Sequence, residues 1–405
     1  MYHLAWINNV ATRYRCHLFQ ALLNEADKRY TKFDGIFMAA YLPGQKLHED
    51  LPESAKAFRV EPGVQFRWNR VFIHLNSRLV ARILMHPPDA IVLCGWADIT
   101  SAALEILMPI FRRRTVLLMW AEANCYSTRH EYGPVAAVRR FLASRCDALV
   151  VPGEIAVSTI KTVWRVPNPN FIALPNLVDE SFFNAAVQHR HHVRDEARSM
   201  LGIPVSSRIL LCPARLDERT KGILTFLNHS WDIWTDQTVL VLAGAGPDEH
   251  AIREWITANS RQASIKLVGQ VTASRLVELQ AAADGLVLPS ISDPNPLAVI
   301  EGLWAGLPLL LSRCCGNALE AVVHGQNGWL FWPNKATEVR KTLIQFFNMP
   351  SDELRQMGAR SVQIARERFS TKPAVKSFFD NVEDLIREKH GDIKSVVLPT
   401  ARGAR

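Results

Sequence analysis

SDPNPLAVIEGLWAGLP, Ser292 to Pro308, sets two carboxylates, Asp293 and Glu301, eight residues apart across a turn from strand to helix. The apolar run GLVLPS, Gly285 to Ser290, precedes it and reads as a buried strand. Pro294 and Pro296 forbid a regular helix before Leu297. From there the period becomes helical, with Leu297, Ile300, Leu303 and Trp304 on one face, until Gly306 and Pro308 stop it. One carboxylate is therefore expected in the loop and the other one turn into the helix. Between them lies a helix N-terminus, whose free N–H groups and dipole suit a phosphate. Carboxylates that hold hydroxyls, beside an anion cradle, suit a sugar nucleotide.

Upstream, CPARLDERTKGI, Cys212 to Ile223, follows the apolar strand RILLCPA and carries Arg215 and Lys221 six residues apart. An arginine fork and a lysine point charge at the end of a strand can converge on a diphosphate. The same pair also reads as two solvated surface cations. VLVLAGAGPDE, Val239 to Glu249, and KLVGQV, Lys266 to Val271, are strands ending in glycine, where a backbone can approach a ligand closely or simply turn. LPNLVDESFF, Leu174 to Phe183, lies where a two-domain chain would cross over.

Taken in order, these segments resemble the retaining glycosyltransferases of family 4, which have the GT-B fold. That family shows Glu-Pro-Phe-Gly-Leu followed by Glu-Ala; here Asp293 stands for the first Glu, Asn295 for Phe, Pro296 for Gly, and Glu301 for the second Glu. Arg215 and Lys221 match its Gly-Arg-Leu…Lys-Gly signature, and GNALEAVVHGQNGWLF, Gly316 to Phe331, matches its closing segment. The resemblance covers residues 149–331 well and the first 148 in outline.

It implies an α/β GT-B architecture, two Rossmann-like doubly wound domains facing a central cleft. The expected divisions are 1–178 for the acceptor side, 179–207 for an interdomain linker, 208–370 for the nucleotide-sugar domain, 371–390 for a helix returning to the first domain, and 391–405 for a flexible tail. The implied reaction transfers a sugar from a nucleoside diphosphate sugar to an acceptor hydroxyl with retention, in surface polysaccharide, O-antigen or glycolipid assembly. Glu301 would accept from ribose hydroxyls, Asp293 would hold the sugar, and Arg215 and Lys221 would stabilise the leaving diphosphate. Gly244, Gly246, Gly269, Val271, Asn295, Leu297, Ala298, Gly316 and Asn317 would line the donor site. The family works without a metal, and the chain has no Asp-x-Asp motif, so neither metal nor other cofactor is expected. Alternatives are a sugar-nucleotide epimerase on the same fold, or an inactive nucleotide-sugar-binding protein. The latter stays open because Pro296 removes one N–H from the cradle.

In the first half, strands end at Asn8 and at Trp96, and ligands in doubly wound folds sit beyond the carboxyl ends of strands. Asn9, Arg13, Arg15, Trp96 and Glu122 are thus acceptor-side or cleft candidates. Glu122 stands near the place of a family His that contacts the donor sugar. Trp96 reads equally as packing. A polar stretch with Lys46, His48 and Trp68 is a candidate acceptor loop.

At 405 residues with 48% hydrophobic and 21% charged composition, the chain has the balance of a two-domain soluble protein. Seven cysteines without paired metal spacing suggest reduced thiols in a cytoplasmic protein. No stretch has the length of a signal peptide core or a membrane span. Residues 1–175 hold 21 Lys and Arg against 14 Asp and Glu, net +7; the remainder holds 26 against 25, net +1. A basic first half suggests an anionic partner. Without a nucleic-acid motif, a glycan or lipid-linked glycan acceptor at the inner face of the cytoplasmic membrane fits better than nucleic acid. Two apolar-basic segments, residues 102–114 and 135–145, are candidates for touching that surface, or are core-packed helices with a solvated face.

Overall fold

The computed structural model describes residues 1–39, 56–61, 63–68, 71–188 and 190–391. Lys46 and His48 of the candidate acceptor loop, and the expected tail beyond Gly391, lie outside them. Strands β1 (His3–Val10), β2 (Lys32–Ala39), β3 (Arg59–Val60), β4 (Val64–Trp68), β5 (Val71–Leu75), β6 (Ala90–Leu93), β7 (Val116–Trp120), β8 (Ala148–Val151) and β9 (Phe171–Ala173) occupy the first half. The second half holds β10 (Arg208–Pro213), β11 (Thr238–Ala243), β12 (Ile265–Gly269), β13 (Gly285–Leu288), β14 (Leu309–Ser312) and β15 (Gly328–Phe331).

They form two parallel sheets, in the orders β3-β2-β1-β6-β7-β8-β9 and β12-β11-β10-β13-β14-β15, plus the antiparallel hairpin β4-β5 that carries Trp68. Helices cover both faces, so the strands are apolar without alternation; Gly285–Leu288 and Leu309–Ser312 are buried at every residue. In each sheet the strand order reverses once, between β1 and β6 and between β10 and β13. A crevice opens at such a switch point beyond the strand ends. β1 runs on to Val10, past the end expected at Asn8, so Asn9 lies within the strand, while Trp96 follows β6; Arg215 and Asp293 follow the second pair.

Residues 179–207, expected as a linker, instead hold the helices Glu180–Gln188 and Arg190–Met200. Phe183 and Ala186 join the core of the second domain. Arg198 is fully buried, and its guanidinium donates to the carbonyls of Ala282, Val205 and Ser207 and to Asp284 at 2.8–3.0 Å. Asp284 also accepts from the N–H of Ile209 on β10, which locks this helix to the sheet. What the polar composition of this stretch hides is a buried arginine, Arg198, near the end of a docked helix.

The last helix, Thr371–His390, returns to the first domain. Val375, Phe378, Phe379, Val382 and Ile386 enter its core, where the ring of Phe378 lies 5.6 Å from that of Trp6. Lys389 pairs with Asp147.

Candidate active site

The motif loop is docked onto the lysine that precedes it. The carbonyl of Thr220 accepts from the N–H groups of Ile291 and Ser292 at 2.9 and 3.0 Å. That places Lys221, last residue of the short helix Glu218–Lys221, so that its ammonium meets the buried carboxylate of Asp293. The Asp293 carbonyl accepts from the N–H of Gly316 at 2.9 Å and from Asn124 Nδ2 at 2.8 Å. Gly316 must be glycine, since a Cβ would lie 1.6 Å from the Pro294 oxygen. Arg215 stands exposed on the loop after β10 and, among the described residues, bonds to none of these groups.

The helix begins at Leu297 with Pro296 as its cap at φ −66°, an angle that proline fixes without strain. The Pro296 carbonyl is taken by Asn317 Nδ2 at 2.9 Å. One turn on, the Glu301 carboxyl lies deep although the residue keeps an opening to the cleft. Burial pushes it up to about 7, opposed by the positive charge of Arg13. Glu301 and Leu297 line a cavity of about 270 Å³ whose opposite wall is first-domain helix, beginning at Arg13.

Between the domains runs a chain of polar side chains. Arg15 Nη2 lies 3.5 Å from Glu122 Oε1. Asn176 Nδ2 donates to Glu122 at 2.8 Å and to Asn295 Oδ1 at 3.1 Å, which Asn317 Nδ2 also reaches at 3.4 Å. Each of these residues except Glu122 is buried. The replacement of the family's apolar residue by Asn295 thus finds a polar partner in both directions. Among the described residues its Nδ2 and the Oδ1 atoms of Asn176 and Asn317 are buried without partners, so capacity remains for water or a ligand.

The other expected residues divide. Gly244 and Gly246 have a packing reason: a Cβ on either would lie 2.0–2.1 Å from the carbonyl oxygens of Ala214 and Leu216, the loop that carries Arg215. Gly269, at φ +72°, faces open space. Val271 and Ala298 pack against the second core. Asn9 Oδ1 accepts from Cys94 Sγ at 2.6 Å. Trp96 packs on the first domain, with the Arg139 guanidinium 5.6 Å from its ring. Asn124 was not anticipated: it also donates to the Cys314 carbonyl at 3.0 Å, tying the domains together. Only its place just past the end of β7 marks it in sequence. Asn176 sits inside the recognised crossover segment without a role legible there.

Residues 193–363 match the family described as glycosyl transferases group 1. A Bacillus subtilis chain named as a teichuronic acid biosynthesis glycosyltransferase is 24% identical over 68% of this chain and 66% of its own length. A glycogen synthase of Mycobacterium tuberculosis is 34% identical over 33% of this chain, and only 31% of that relative is spanned. Among solved structures, sucrose-phosphate synthase from Thermosynechococcus elongatus superposes with a TM-score of 0.73 at 17% identity, covering 96% of this chain and 100% of the other. Anabaena HepE in complex with UDP and glucose superposes at 0.69 with 15% identity, over 95% and 100%. The chain therefore has the two-domain GT-B glycosyltransferase fold, and its second domain carries the group 1 glycosyltransferase match.

Proposed function

We propose that this chain is a retaining glycosyltransferase that moves a sugar from a nucleoside diphosphate sugar to an acceptor hydroxyl in polysaccharide, O-antigen or glycolipid assembly. The observation that carries the reading is the convergence at one switch point of Lys221 on Asp293, with Glu301 one turn deeper beside a nucleoside-sized cavity. Glu301, ionised, accepts from the ribose hydroxyls. Asp293 holds hydroxyls of the sugar. Lys221 and Arg215 stabilise charge growing on the departing diphosphate, usually the largest single contribution to such catalysis. With no second carboxylate assigned as nucleophile, the acceptor oxygen attacks on the face the phosphate leaves. The phosphate oxygen takes the acceptor proton as the glycosidic bond to phosphate breaks. The two cations serve in place of a metal ion.

The acceptor belongs to the first domain and to an anionic membrane surface. Ile106, Ile110 and Phe111 on the helix Ile99–Phe111, and Val138 and Phe141 on the helix Pro134–Ser144, are exposed. Arg145 joins the helices by donating to the carbonyls of Glu105 and Ile106, and Arg113 and Arg114 extend beyond the first helix. Apolar side chains rimmed by arginines suit an anionic leaflet. Among the described residues, no helix is long and apolar enough to cross a membrane.

A thermal-shift panel of nucleoside diphosphates and their sugars tests the donor class, because a ligand raises stability by mass action. The same protein should then release nucleoside diphosphate only when acceptor is present. Release without acceptor would favour an epimerase, and no shift with any diphosphate would overturn the reading.

A further inference from the structure

The cavity beside Glu301 is built by both domains. Glu301, Leu297 and Leu276 come from the second; Arg13, Tyr14 and His17 come from the first turns of the helix Arg13–Lys28. The Arg13 guanidinium lies 4.1 Å from the centroid of the Phe182 ring. Phe182 belongs to the helix Glu180–Gln188 and packs against the core of the second domain. A cation seated on a ring face is held without spending its N–H groups. A first-domain arginine is thus fixed on a second-domain aromatic, across the cavity from a second-domain carboxylate. Arg13 and Glu301 form no direct ion pair, so the space between them remains open for a ligand that meets both.

We propose that Arg13 is a positioning residue of the donor-nucleotide site rather than an acceptor-side residue. It opposes the burial that raises Glu301 and so increases the share of the ionised carboxylate that receives ribose hydroxyls. The proposal rests on the reading of Glu301 as the ribose-binding group. His17 and Asp179 also face the cavity. Burial holds His17 below its usual range, against the pull of Asp179 and Glu180 and with that of Arg13, so it is neutral at and above pH 7 and leaves Glu301 as the titrating group there.

The test is calorimetric titration of the full chain with UDP, GDP and ADP at pH 7, 8 and 9, in the wild type, Arg13→Gln, Arg13→Lys, Glu301→Gln and the Arg13→Gln/Glu301→Gln double variant. For whichever diphosphate binds, Arg13→Gln should weaken binding about tenfold at pH 7, with the loss shrinking as pH rises, because without the guanidinium Glu301 keeps its proton to higher pH. Arg13→Lys should recover much of the loss. In the Glu301→Gln background, adding Arg13→Gln should change affinity by less than about threefold. Wild-type affinity in Arg13→Gln with weakened binding in Glu301→Gln would overturn this proposal and leave the ribose reading standing. Unchanged affinity in Glu301→Gln would remove the ribose reading itself. An Arg13→Gln loss that is equal at every pH and in both Glu301 backgrounds would mark a merely structural role, and would also overturn the proposal.

Discussion

The two domains hold their cations in different ways. In the second, Arg198 is paired with Asp284 and Lys221 with Asp293. In the first, Arg15 and Arg139 lie on aromatic faces. Arg15 sits 4.3 Å from the Trp120 ring, and Arg139 sits 5.1 Å from that of Trp164. Among the described residues, Nε of both arginines and Nη1 of Arg15 are buried without partners. Glu105, fully buried, has both carboxyl oxygens unpaired among the described residues and is pushed by burial up to about 9. An ion pair fixes both partners in one geometry, whereas a ring face holds a cation and leaves its donors unspent. The paired cations of the second domain are thus preset for a ligand of constant chemistry, and the ring-seated arginines of the first keep unspent donors.

The sharpest way to break that contrast is at the donor-site cations, Lys221 on its carboxylate and Arg215 at the loop after β10. Replacing Lys221 or Arg215 by Ala should cut turnover about 100-fold or more, as for other groups that stabilise developing charge. Steady-state kinetics showing wild-type-like turnover in either variant would remove that residue from the charge-stabilising role.

The unpaired side of the contrast is tested at Glu105. Its folded-state value lies above the ordinary 4.5 of an unfolded glutamate, so the folded chain keeps a proton that the unfolded chain loses. The stability it contributes is complete below about pH 4.5, falls by about 1.4 kcal/mol per pH unit above that, and is gone above about pH 9. Glu105→Gln cannot titrate. Between pH 6 and 8 the variant should therefore gain about 3 kcal/mol on the wild type in urea denaturation. Parallel pH profiles would show that the carboxyl is solvated and ionised after all.

The arginines that end the first-domain helix come next. Arg113 and Arg114 are exposed, while Arg112 donates to the carbonyl of Leu84. At about 1 kcal/mol for each arginine that reaches an anionic leaflet, neutralising all three should lower liposome association roughly 30-fold, with the two outer ones responsible. Activity on a short soluble acceptor should be almost unchanged. Flotation in which the wild type ignores anionic vesicles at low salt would leave the basic surface to anionic glycans.

How much of this was legible in the sequence follows the same division. The donor half writes its geometry locally. Proline and glycine spacing sets where the helix at Leu297 starts and stops, and the lysine that meets Asp293 lies at the end of an adjacent strand's loop. The first half was legible as strands, but its side chains take their meaning from distant segments. The strand end alone marks Arg13 as an acceptor-side or cleft candidate; its seat on Phe182 depends on a helix some 170 residues away. Residues 179–207 look like a polar linker because one buried arginine, satisfied by carbonyls, leaves no periodic apolar signal. Asn124 and Asn176 act through single amide contacts across the cleft, which no spacing rule predicts.

The most direct test of the whole account is the division of labour between the two motif carboxylates, read by calorimetry on the full chain. Glu301→Gln should weaken binding of the bare nucleoside diphosphate by about tenfold, the scale of one lost charge-assisted hydrogen bond. Asp293→Asn should leave that binding near the wild-type value and instead weaken the intact sugar nucleotide. Equal impairment of both variants for the bare nucleotide, or impairment of neither, would contradict the assignment of ribose to Glu301 and sugar to Asp293.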